Sequence, residues 1–137
     1  MLATRCLRVG LVLLALIEGI PSLWAALAPL SFYRDFPTPD RSWLTLFPPY
    51  NEHMTHDFGL IALQFVVVLG FAAVSVERRL VRVVLIASLV FNVPHCVYHQ
   101  RHLVEGSDVH VQFASQVVPI VLAVVLLVVN ERRAVVS

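Results

Sequence analysis

The chain contains no lysine; all ten of its basic residues are arginine. Charge of either sign is scarce, 14% of 137 residues, where a soluble domain carries about a quarter. The net charge of +1 leaves no polybasic field, so no nucleic-acid partner is expected. Glycine is also sparse, and neither a Gly-rich phosphate loop nor a Gly-x-Ser-x-Gly elbow occurs. The two cysteines, Cys6 and Cys96, exclude a paired-cysteine zinc framework. The topology argued below puts them at opposite membrane faces, too far apart for a bridge.

What is abundant is apolar. Hydrophobic residues make up 58% of the chain, and the mean hydropathy is +0.80. That places it in the membrane class. Arginine in place of lysine, with an excess of Val, Ala and Leu, suggests a high-GC bacterial genome.

Four apolar runs are long enough to span a bilayer, at residues 9–30, 56–76, 81–99 and 109–129. The expected fold is all-α, one integral membrane domain over residues 1–137, a four-helix transmembrane bundle running up-down-up-down. Ala26-Leu-Ala28 after the first run also fits a signal-peptide cleavage site, but it lies far from the short apolar stretch, which Glu18 interrupts. A retained helix, with Pro21 inside it, is the preferred reading. Between the first two runs, residues 31–51 form a proline-rich, aromatic segment whose Phe32, Tyr33, Trp43 and Tyr50 suit the membrane–water boundary. It reads as an interfacial loop or as a lid over a polar site. Glu105-Gly-Ser-Asp108 reads as a short turn.

Arginine placement sets the orientation. Arg5, Arg8, Arg78, Arg79, Arg82, Arg132 and Arg133 fall on one side of a four-span chain, and only Arg34, Arg41 and Arg101 on the other. The positive-inside rule then predicts a multi-pass protein of the plasma membrane with both termini cytoplasmic. All six histidines fall at the outer ends of the predicted helices.

That distribution points to a polar site. His95, His99 and His102 stack on one helical face, with Asn92 below them. His53, Asp57 and Gln64 form a stripe on the second span, flanked by Asn51, Glu52 and His56. Gln112, Ser115, Gln116 and Pro119 share a face of the fourth. Glu18 lies about 18 Å below the outer end of the first span. A carboxylate at that depth should face the bundle and pair, or stay protonated.

Three chemistries fit this pattern. In the first, His53, His56, Asp57, His95, His99 and His102 supply ligands to a divalent metal, or two facing histidines hold a haem. Glu18, Asn51, Glu52, Gln64 and Asn92 then line the pocket for this or another small ligand, within a transport or redox assembly. In the second, the protein is a membrane enzyme acting on a lipid or quinone-like substrate, with His99 or His95 as general base and Asp57 as orienter. In the third, the histidines are interfacial polar caps in a structural subunit. The bilayer is the one partner all three require; a homo-oligomer or larger membrane complex is compatible with each. Ser22, Ser88 and Ser115 read more simply as small packing residues, and Met54 as an interfacial apolar one.

Several stretches carry a resemblance: Phe32-Tyr-Arg-Asp-Phe-Pro37, Trp43, Pro49-Tyr-Asn-Glu-His53, Asp57-Phe-Gly59 and Pro94-His95 with His99. On these the chain resembles a group of small, uncharacterised four-helix integral membrane proteins of high-GC, actinobacterial-type bacteria. The resemblance covers most of the chain and implies the same membrane architecture and no activity. His56 and His102 fall outside the group's pattern. A looser likeness runs to membrane di-iron hydroxylases and desaturases through His95-x-x-x-His99-x-x-His102 and His53-x-x-His56. Those histidine boxes are incomplete here and would lie on the wrong membrane side.

Overall fold

The structure is a computed structural model that describes residues 1–39, 41–102 and 108–133. Among the described residues every regular element is helical: α1 (Leu2–Leu27), α2 (Pro29–Asp35), a 3-10 turn (Leu44–Leu46), α3 (Glu52–Ser75), α4 (Arg78–Arg101) and α5 (Val109–Arg132). Helices α1, α3, α4 and α5 are long and apolar enough to cross a membrane, which marks a multi-pass membrane protein. Much of their outward surface is Val, Leu, Ile and Phe, as a lipid-facing surface requires.

The helix ends have local causes. α1 begins ahead of the apolar run, at Leu2, and stops at Leu27 rather than at residue 30. Pro29 ends it: a proline drives the residue before it out of the helical region, and Ala28 sits at φ −142°, ψ 65°. Pro29 then opens α2 at a position where its missing N–H costs nothing. A short helix therefore occupies the start of the stretch expected to be loop. Pro21, Pro94 and Pro119 lie inside α1, α4 and α5. α3 ends on Val76, whose φ of 48° is left-handed. This conformation costs a β-branched residue about 1–2 kcal/mol. Val76 keeps it with a buried side chain and a 2.8 Å hydrogen bond from its N–H to the Ala72 carbonyl. Glu77 then starts α4: its carboxylate accepts from the N–H groups of Arg79 (2.9 Å) and Leu80 (2.7 Å). The turn expected at residues 105–108 lies outside the described residues except for Asp108, which precedes α5.

Contacts divide the chain into two compact units, Met1–Ala15 with Val68–Ser137, and Leu16–Val67. In the first, Leu7, Leu11 and Leu14 form a single buried face of α1. Leu69 and Ala72 of α3, Val81 and Leu85 of α4, and Ala123 and Leu126 of α5 are buried in the same unit. Gly10 lies so close to Leu126 that an added Cβ would meet its side chain. In the second, the backbones of α1 and α3 cross at Gly59. A Cβ there would collide with the Ala26 nitrogen and lie 2.7 Å from the Ser22 carbonyl oxygen. Small residues allow such approach in membrane helices.

Candidate functional site

Asn51 sits just ahead of α3, and its side-chain oxygen accepts from the Met54 N–H at 3.0 Å. This is an N-cap, and it fixes where the helix begins. The polar residues of the next turn are thereby set on one helical ramp. Asp57 stands between two imidazoles: His53 Nε2 lies 3.3 Å from Oδ2 and His56 Nδ1 3.5 Å from Oδ1. His53 is almost fully exposed, at 86%, whereas Asp57 and His56 are each 45% exposed. The carboxylate therefore orients two rings while all three groups stay accessible. Glu52 is exposed in the first turn, where a carboxylate complements the helix dipole. Gln64, on the same stripe, is exposed.

The histidines of α4 sit in an aromatic ladder. Phe91 stacks on His95 with ring centroids 5.1 Å apart, and His95 meets His99 edge-on at 4.5 Å. Tyr98 stacks on His102 at 4.2 Å, and His102 Nδ1 lies 2.8 Å from the Tyr98 carbonyl oxygen. His95 and His99 are half-buried and His102 is exposed. The one-turn spacing on α4 produces this ladder, since residues four apart share a face. Asn92, one turn deeper, is buried and donates to the Ser88 carbonyl (2.9 Å) and hydroxyl (3.1 Å).

Glu18 is half-buried in α1, and its carbonyl accepts a 2.5 Å bond from the Ser22 hydroxyl. On α5, Gln112 and Pro119 are buried while Ser115 is exposed. His110 is exposed near its start. The structure thus gathers His53, His56 and Asp57 in one cluster, and His95, His99 and His102 in another. Among the described residues, no group of three or more His, Cys, Asp or Glu side chains is placed to hold a metal ion.

Two constructions escape sequence reading. The first joins the arginine-rich ends. Arg8 donates to the last carbonyls of α3, from Nε to Ala73 (3.2 Å) and from Nη2 to Val74 (3.3 Å). Arg133 donates to the Val76 carbonyl at 2.7 Å, and Asn130, fully buried, donates to that of Arg78 at 3.1 Å. Glu131 receives Arg78 at 2.8 Å and both Nε and Nη2 of Arg82. The signal for this was the recurrence of Glu beside Arg at Glu77-Arg-Arg79 and Glu131-Arg-Arg133.

The second is an aromatic cap built by the segment between α1 and α3. Phe36 touches Trp24 (6.3 Å between centroids), Phe32 (4.8 Å) and Trp43 (5.6 Å). The backbone N–H of Trp43 donates to the Phe36 carbonyl, and the Ser42 hydroxyl to that of Tyr33. Trp24 Nε1 donates to Ser31 Oγ, which donates to Asp35. Tyr33 packs on Tyr50 at 5.0 Å.

Compared with protein-family models, with curated proteins and with solved structures, the chain matches none.

Proposed function

We propose that this chain is a small plasma-membrane protein that binds a ligand through histidines at the outer ends of its helices, within a transport or redox assembly. The proposed arrangement is an up-down-up-down four-helix bundle with both termini cytoplasmic, drawn from the arginine asymmetry. The same arrangement is proposed to be shared with the small actinobacterial-type four-helix proteins that the chain resembles. The observation that carries the reading is the edge contact of His95 with His99, two half-buried imidazoles one turn apart. Such a pair offers ring nitrogens to a divalent metal or to a haem, whose remaining ligands come from elsewhere. Metal analysis and absorption spectra of protein purified by gentle extraction test this. Bound metal or haem that disappears in a His95→Ala/His99→Ala variant supports it. Protein that carries neither, and shows no histidine-dependent uptake, removes it.

A second reading, a membrane enzyme acting on a lipid or quinone-like substrate, is favoured by one specific contact. Asp57 lies within reach of His53 and His56, and a carboxylate beside an imidazole orients a general base. In this reading the base is a histidine of α3 rather than His95 or His99. Turnover of added lipid or quinone that is lost in Asp57→Asn while metal content stays unchanged would select it over ligand binding.

A further inference from the structure

The arginines of the first unit divide into two sets. Arg8, Arg78, Arg82 and Arg133 are bonded to other groups of the protein, the carbonyls of Ala73, Val74 and Val76 and the Glu131 carboxylate. Arg5, Arg79 and Arg132 are exposed, and no hydrogen bond or ion pair engages their guanidinium groups among the described residues. The carboxylates nearby are also committed. Glu131 is taken by Arg78 and Arg82. Glu77 accepts the first N–H groups of α4, that of Arg79 among them, and feels the Arg79 guanidinium only as a neighbouring charge. Arg5 lies one turn before Arg8, Arg79 follows Arg78, and Arg132 lies between Glu131 and Arg133. The internal bonds therefore hold all three exposed groups at one end of this unit, at the ends of helices long and apolar enough to cross a membrane.

We infer that Arg5, Arg79 and Arg132 form a binding surface for the phosphate headgroups of anionic phospholipids. Three features converge on that occupant. The end carries a clear excess of arginine over glutamate, and clusters of basic residues beside membrane spans attract anionic lipid. Guanidinium presents a planar fork that bonds two phosphate oxygens at once, which an ammonium does not. The location at helix ends puts these groups at headgroup depth, whichever membrane face this end occupies. The inference does not rest on the histidine site.

Lipid retention by the full-length protein tests it, measured by native mass spectrometry after extraction from vesicles of equal phosphatidylglycerol and phosphatidylcholine. Phosphatidylglycerol should be retained preferentially, and each arginine exchanged for glutamine should lower the preference about fivefold. Arg5→Gln/Arg79→Gln/Arg132→Gln should abolish it, and the matching triple lysine variant should keep part of it. Arg34→Gln/Arg41→Gln/Arg101→Gln should leave it unchanged. Equal retention of the two lipids by the native protein overturns the inference, as does a preference that survives the triple glutamine change. Displacement of phosphatidylglycerol by millimolar inorganic phosphate would also overturn it, because the surface would then be a site for free phosphate rather than for lipid.

Discussion

Arg82 grips Glu131 with two parallel hydrogen bonds, Nε to Oε1 at 2.6 Å and Nη2 to Oε2 at 2.5 Å, across 49 residues of chain. This fork ties the start of α4 to the end of α5, and Arg78 adds a third bond to the same carboxylate. Glu131→Gln is expected to lower the melting temperature in detergent, because it loses the charge that serves two arginines. Arg82→Lys should behave more like Arg82→Ala than like the native protein, since an ammonium cannot make both bonds. A lysine variant as stable as the native protein would show that net charge, not the fork, holds the helices.

Gly59 and Gly70 lie on the same helix and make opposite predictions. A Cβ at Gly59 meets the backbone of α1, which cannot swing aside. Gly59→Ala should cost about 1–3 kcal/mol, as overpacking does. A Cβ at Gly70 meets nothing within 4 Å. Gly70→Ala should be neutral or gain up to about 1 kcal/mol from helix propensity. Thermal unfolding of the two variants side by side checks both, and equal effects would refute the crossing at Gly59.

Phe36 is the hub of the aromatic cap, in contact with three other rings. Edge-on and tilted ring pairs contribute about 0.5–1.5 kcal/mol each beyond their buried area. Phe36→Leu keeps most of the apolar volume and removes the ring contacts. It should therefore destabilise the cap and shift the fluorescence of Trp24 and Trp43 to longer wavelength. An unchanged spectrum would show that the two tryptophans are not held by Phe36.

Glu77 gives the protein a dependence on acid. Its backbone hydrogen bonds from Arg79 and Leu80 hold the carboxyl below its usual value of 4.5, and the charges of Arg79 and Arg133 act in the same direction. A depressed carboxyl contributes fully above that value. Its contribution is lost as the pH falls below 4.5 through the folded-state pKa. Glu77→Gln should lower stability at neutral pH and flatten the decline seen as the pH falls below 4.5. Parallel pH profiles for the two proteins would reject the cap as the source.

The sequence by itself determined the spans and the local clusters. An apolar run of about 20 residues in lipid must satisfy its backbone within itself, so it is a helix whatever it packs against. The same holds for features set by helical spacing. The approach of His53 and His56 to Asp57 and of His95 to His99 needs only positions one apart or one turn apart on one helix. Pro29 was likewise legible, because a proline drives the residue before it out of the helical region, and Ala28 sits at φ −142°, ψ 65°. The tertiary structure alone decided the long-range pairings. Arg8 reads as a topology marker until the Ala73 and Val74 carbonyls are found beside it, 65 and 66 residues away. Gly59 reads as one small residue in an apolar run until the backbone at Ser22, Ala25 and Ala26 arrives against it. Periodicity specifies which face a residue occupies, but not which helix lies opposite. That depends on how closely two backbones approach and which unpaired carbonyls a distant guanidinium can reach.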